Sequence, residues 1–294
     1  MSRNENRTGF PEDFTPQDDT PTPAVATTVG AGVPNAQPTF SWSVPTEFVT
    51  LPSAGRFYPQ GHPLHNKTSV EIKYMTAKEE DILTSRALLK EGVALDRMLQ
   101  SLVVEEGVRI DTLLIGDKNA LLVAARRTGY GPDYRTSVTC PSCGTTDEFE
   151  FDISEPSVTP YEQNIEDNAA ILTDDGNLLI TLPMTNAVVE CKMLTGADEL
   201  RLYKESERKA KRKQTTGTMT DMFRSYIVSV NGQESPLVIE SFIQALPARD
   251  SRVLRNIYSA CVPNIDMTQV FDCTNCGHSA DMEVPLNTDF FWPG

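Results

Sequence analysis

Along this chain the apolar residues switch between strict alternation and helical spacing, and each switch predicts an element. Val70, Ile72 and Tyr74 alternate and predict a strand. Thr76-Ala77-Lys78-Glu79 then forms a capping box, in which hydroxyl and carboxylate each cover a free backbone N–H. Ile82, Leu83, Leu88 and Leu89 continue it as a helix to about residue 90, and Gly92 ends it. Residues 94–106 predict a second helix through Leu95, Met98, Leu99, Leu102 and Val103, stopped by Gly107. Asp117 is placed to cap a third helix over 118–127, with Leu121, Leu122 and Ala125 inward.

Alternation returns at 134–139 (YRTSVT) and 147–153 (DEFEFDI), and again at 268–272 (TQVFD) and 280–286 (ADMEVPL). Between them, 178–182 and 187–194 predict a hairpin after the turn Asp174-Asp175-Gly176-Asn177. Helices are expected from Thr195 through the basic run 204–213, then over 218–231 beyond Gly217, over 237–245, and from Pro247 to Cys261.

Two segments lie outside this rhythm. Residues 1–43 are rich in Pro, Thr, Asp and Asn and predict a disordered tail, since they bury too little apolar surface to offset ordering entropy. Residues 44–75 hold an opening motif, Leu51-Pro52-Ser53-Ala54-Gly55-Arg56-Phe57-Tyr58-Pro59, read as a rigid turn. Phe57 is expected in the core, with Arg56 and Tyr58 facing a neighbour.

The candidate chemistry lies at the tips of the alternating segments. Cys140-Pro141-Ser142-Cys143-Gly144 and Cys273-Thr274-Asn275-Cys276-Gly277 are two C-x-x-C-G knuckles, each between predicted strands. Zn²⁺ takes four soft ligands in a tetrahedron, and Cys140, Cys143, Cys273 and Cys276 supply four thiolates. The glycine after each pair suits the positive φ of such a turn. With every position filled by cysteine the zinc would be structural, holding together points about 130 residues apart, positions 143 and 273. His278 is an alternative ligand, or a polar neighbour of the second knuckle. A thiol-disulfide enzyme would instead open a helix with its C-x-x-C, and neither pair does.

The fold class read from this order is α+β: a helical unit plus a four-cysteine zinc ribbon, with a long α-rich insertion between its two knuckles. The expected divisions are a tail at 1–43, the opening motif and helical unit at 44–139, and the ribbon at 140–153 and 268–286. The insertion occupies 154–267 and an aromatic tail 287–294.

Charge and composition remove several function classes. The 294 residues carry 26 basic and 41 acidic groups, net −15, which weighs against nucleic acid because phosphate contact supplies most nucleic-acid affinity. The run Arg208, Lys209, Lys211, Arg212, Lys213 departs from that balance and reads either as a solvated helix end or as a contact for an acidic protein. It also motivates the alternative of a zinc-ribbon nucleic-acid or transcription accessory factor. Three histidines occur, His62, His65 and His278, none at a spacing that suggests a catalytic site. No P-loop, G-x-G-x-x-G or H-E-x-x-H motif occurs, so no small-molecule substrate is indicated. No apolar run reaches transmembrane length, and the N-terminus has no secretory h-region. Six cysteines, four in metal spacing, suit a reducing compartment; Cys191 and Cys261 read as small buried hydrophobes.

Four stretches in order resemble one family: LPSAGRFYP, YMTAKEEDIL, LIGDKN followed by AARRTGYG, and CPSCG. They are similar to the baseplate hub subunit family of T4-like contractile-tailed bacteriophages, well over residues 48–153 and more loosely through 286. The resemblance implies a structural or assembly component of the virion tail baseplate, built in the host cytoplasm. Its partners would be other baseplate or hub proteins, and it would have no enzymatic activity.

Overall fold

The opening motif folds as a plug between two paired strands. In the computed structural model, β1 (Thr46–Thr50) runs antiparallel to β2 (Ser69–Lys73), with Val49 opposite Val70. The turns between them bury Leu51, Phe57, Tyr58 and Leu64. Gly55 makes this possible: its φ is +73°, and a Cβ there would lie 2.4 Å from the Lys67 nitrogen. Tyr58 is therefore in the core rather than facing a neighbour, and Arg56 remains on the surface, paired with Glu162. The structure describes residues 43–213, 219–284 and 288–291. The expected tail at 1–43 thus lies, but for Ser43, outside the described residues, as does Gly217.

The capping box forms as expected, with Glu79 Oε2 accepting from the Thr76 N–H at 3.0 Å. The helix it opens is shorter than expected. α1 (Ala77–Leu83) stops where the Thr84 hydroxyl donates to the Glu80 carbonyl at 2.9 Å, a local bond that competes with helix continuation. A second short helix, α2 (Arg86–Glu91), ends at Gly92 with φ +70°. α3 (Ala94–Leu102) also ends early, because Val103 bridges Ile72 and the Val104 N–H donates to the Glu71 carbonyl at 3.0 Å. Sheet pairing has taken residues whose spacing was helical.

α4 (Ile115–Tyr130) is the central element, with Leu121 to Ala125 all buried. Five consecutive buried residues go right round the helix, so it needs neighbours on every side. It packs against α3 and β1 and, further on, the insertion. Lys118 ties three helices in one place, reaching Asp96 of α3 and, at 2.7 Å, Glu199 of the later α6 (Gly196–Lys211). Gly116 permits the return of the chain to within contact: a Cβ there would lie 1.9 Å from the Pro263 carbonyl oxygen.

β3 (Asp133–Thr139) and β4 (Thr146–Asp152) form the hairpin that carries the first knuckle. The segment beyond it begins with β5 (Ser157–Val158), α5 (Tyr161–Asp167), β6 (Ile171–Leu172), β7 (Leu178–Thr181) and β8 (Val188–Cys191). After α6 come α7 (Met219–Tyr226), β9 (Ile227–Val230), α8 (Pro236–Ala245), α9 (Ala248–Cys261) and β10 (Ile265–Asp266). β11 (Thr268–Asp272) and β12 (Ser279–Glu283) make the hairpin that carries the second knuckle.

The expected helix over 218–231 is thus half helix and half strand. Residues 227–230 leave the helix to complete a four-stranded antiparallel sheet in the order β6-β7-β8-β9. Ile227, Val228 and Val230 are β-branched and fit a pleated surface better than a helix. The turn after β7 is held by Asp250 of α9, fully buried, which accepts from the N–H groups of Met184 and Thr185 at 3.0 and 2.9 Å. At the base, β5 pairs antiparallel with β10, Val158 opposite Ile265, so this segment leaves and returns at one place.

The α+β class holds. From Ser43 on the chain clusters as one compact unit, and no helix among the described residues is long and apolar enough to cross a membrane. Of the aromatic C-terminus, Phe290 and Phe291 are buried on the chain itself. Phe290 meets Tyr134 edge-on at 4.9 Å, and its carbonyl accepts from Arg126 Nε at 2.8 Å.

Candidate metal centre

The two knuckles have the same backbone. In the first, the Gly144 N–H donates to the Cys140 carbonyl at 2.9 Å and the Cys140 N–H to the Thr145 carbonyl at 2.9 Å. In the second, Gly277 donates to Cys273 at 2.9 Å and Cys273 to His278 at 2.8 Å. Gly144 and Gly277 have φ of +73° and +70°, conformations that need no Cβ. Each turn therefore presents its two sulfurs with one cysteine buried (Cys140, Cys273) and one exposed (Cys143, Cys276).

The hairpins carrying these turns face each other. Phe149 meets Phe271 edge-on at 5.2 Å, the Asn275 amide donates to Thr145 Oγ1 at 3.0 Å, and the Thr274 hydroxyl donates to Asp147 at 3.0 Å. Further from the tips, the Asp152 N–H donates to Gln269 Oε1 at 3.1 Å.

Four sulfurs result within 4.8 Å of one another. Cys140 Sγ lies 3.8 Å from Cys276 Sγ, and Cys143 Sγ 3.7 Å from Cys273 Sγ. A disulfide would need about 2.05 Å. A tetrahedron with metal–sulfur bonds of about 2.3 Å has an edge of about 3.8 Å. The donor set and its spacing therefore fit a tetrahedral metal ion. The His278 ring does not belong to the cluster; that residue contributes its backbone.

Electrostatics point the same way. The Thr145 hydroxyl, then the Thr145 backbone and the Asn275 amide, pull the Cys143 thiol down to about 6. Cys276 receives a backbone N–H from His278, yet lost hydration and the neighbouring sulfurs push it up to about 11. Four thiolates this close repel, and a bound divalent cation is what allows all four to ionise. The two remaining cysteines lie apart from this chemistry: Cys191 and Cys261 are fully buried, and burial pushes the Cys261 thiol up to about 11.

A second polar constellation lies in the core, around Asp117. Asp117 does not cap α4; Leu114 occupies that position and Asp117 lies inside the first turn, fully buried. Its carboxylate accepts from the Ser53 N–H (2.9 Å), the Ser53 hydroxyl (2.6 Å) and the Tyr58 hydroxyl (2.8 Å). Tyr58 Oη in turn accepts from the Leu114 N–H at 3.1 Å. Burial pushes the Asp117 pKa up against the pull of the Ser53 and Tyr58 donors. The signal available in the sequence was a lone carboxylate among apolar helix positions, opposite an opening motif with a serine and a tyrosine.

The basic run at the end of α6 is partly paired within the chain. Lys209 meets Asp221 at 2.7 Å and Lys211 meets Glu207 at 3.6 Å.

Compared with known families, residues 46–292 match the model described as T4 bacteriophage base plate protein. No curated protein and no solved structure matches the chain.

Proposed function

The chain belongs to the T4 bacteriophage base plate protein family, and from that premise we propose that it works in the hub region of the tail baseplate, as a structural or assembly component without enzymatic activity. Family membership makes it a structural phage protein of the virion tail baseplate. The hub placement, contact with other hub proteins and assembly in the host cytoplasm are our reading, supported by the order of the four opening motifs. The observation that carries the proposal is the extent of the family match, which takes in both cysteine knuckles and everything between them.

In this reading Cys140, Cys143, Cys273 and Cys276 ligate one structural Zn²⁺. The ion supplies a cross-link between the two hairpins, and all four of its positions are taken by sulfur, as in structural sites. Because the chain must fold to bring the ligands together, binding free energy becomes folding free energy. The contact surfaces for neighbouring proteins would then be held in place by a ribbon clamped at its tips.

Quantitative mass spectrometry of purified phage particles, with metal analysis of the isolated chain, tests both parts. A fixed ratio to the tube and sheath subunits identifies a built-in part, and presence only in assembly intermediates identifies a factor that leaves. Absence from both overturns the baseplate reading. One zinc per chain is expected, and a preparation folded without metal overturns the structural zinc. The competing reading, a nucleic-acid accessory factor, has its support in Arg208, Arg212 and Lys213 at the exposed end of α6. It requires tight DNA or RNA binding that weakens steeply with salt.

A further inference from the structure

α7, α9 and the segments beside them enclose a cleft of about 490 Å³, within the size range of ligand sites. Met219 and Met222 give it an apolar wall. Tyr226 and Tyr258 add a stacked pair of rings, 4.0 Å apart and 10° from parallel. Arg255 is the sole charged residue among those lining it. In a chain of net charge −15, this wall carries one cation and no carboxylate.

The cation has unused capacity. Arg255 Nε is buried with no hydrogen-bond partner among the described residues, and the hydroxyl of Tyr226, a residue 1% exposed, is in the same condition. Arg255 also acts electrostatically on that hydroxyl. Buried donors left without acceptors are costly, and native structures hold few of them. Ser259 follows Arg255 by four residues on α9, on the same face, and adds a hydroxyl to the cleft.

We infer that this cleft seats a peptide segment of a partner protein, in which a carboxylate meets the Arg255 guanidinium and an adjoining apolar side chain packs on Met219, Met222 and Tyr258. Guanidinium and carboxylate match as a planar fork. Arg, Tyr and Met are also the residues enriched where protein interfaces bury their centres. An apolar wall favours this ligand over a bare inorganic anion. The inference rests on the reading of the chain as a protein–protein component.

The test uses the isolated full chain, isotope-labelled for NMR and titrated with acetyl-Leu-Glu-amide, acetyl-Leu-Gln-amide and inorganic phosphate. The glutamyl dipeptide is expected to shift the signals of Tyr226 and Ser259. It should bind about tenfold or more tightly than the glutaminyl one, the worth of a charge-assisted hydrogen bond. R255Q should lose that preference, and R255K should keep part of it, since lysine keeps the charge but not the fork. Equal affinity for the two dipeptides, or no shifts at the cleft, overturns the inference without relying on any variant. Phosphate binding as tight as that of the glutamyl dipeptide also overturns it, leaving a plain anion site. Failure here leaves the baseplate reading standing. Absence of the chain from tail particles would leave the chemistry of the cleft standing.

Discussion

Two ties join distant parts of this chain, and they are built on opposite plans. The sulfur cluster joins residues 130 positions apart at the tips of exposed hairpins. The Asp117 knot joins Ser53 and Tyr58 to a helix 64 and 59 positions away, inside the core. The cluster gathers four groups that repel one another once ionised and so calls for a cation. The knot gathers one acceptor and three donors that satisfy one another unaided. Read as a metal site, the first would answer to metal, redox state and pH; the second is part of the packing.

Metal removal should separate them most sharply. With a strong chelator, or in C273S, the unfolding midpoint should fall by more than about 10 °C. Hydrogen exchange should rise in both hairpins together while α4 stays protected. An unchanged midpoint, or loss of protection in one hairpin alone, would break the picture of a shared clamp.

The knot comes next. D117A leaves the Ser53 N–H, the Ser53 hydroxyl and the Tyr58 hydroxyl buried without an acceptor, and should cost about 3 kcal/mol by denaturant titration of the metal-loaded chain. The two ties should also respond to pH in opposite senses. Asp117 has a folded pKa raised above its unfolded value, so its contribution is full below that unfolded value and falls as pH rises through the folded one. The stability of the native chain relative to D117N should therefore grow as pH is lowered toward the unfolded value. Metal binding weakens over the same range as thiolates take up protons. A difference between the native chain and D117N that does not vary with pH would show the carboxylate to be ionised throughout.

The smallest effect sharpens the comparison from within the knot. Y58F keeps the ring and its stacking on His62 but removes one donor to Asp117 and the acceptor for the Leu114 N–H. It should cost about 1 kcal/mol. A loss as large as that of D117A would mean that Tyr58, rather than the carboxylate, organises the knot.

The same contrast explains what the sequence disclosed. Clustering of the four thiols was legible because each C-x-x-C-G turn is local and carries its own geometry. The baseplate family was legible from the order of several short motifs. Asp117 was misread as a cap because its donors are remote, and nothing near a helix start distinguishes a capping carboxylate from one that looks inward. Residues 227–230 were misread as helix because Tyr226, Ile227 and Val230 keep helical spacing; only their pairing with β8 makes them a strand. Thr84 ends α1 through a bond from its hydroxyl to the Glu80 carbonyl, a choice that propensity leaves open.

The pairing of β5 with β10 has a consequence for how the molecule bears change. Because that segment departs and returns side by side, it is a side loop on a rope already tied off at its base. What the loop carries between Val158 and Ile265 can change in its outer turns so long as that tie, and the anchorage of α6 on Lys118, are kept. The outer surface of α7 and α8, away from those anchors, is thus where remodelling for a new neighbour disturbs the frame least.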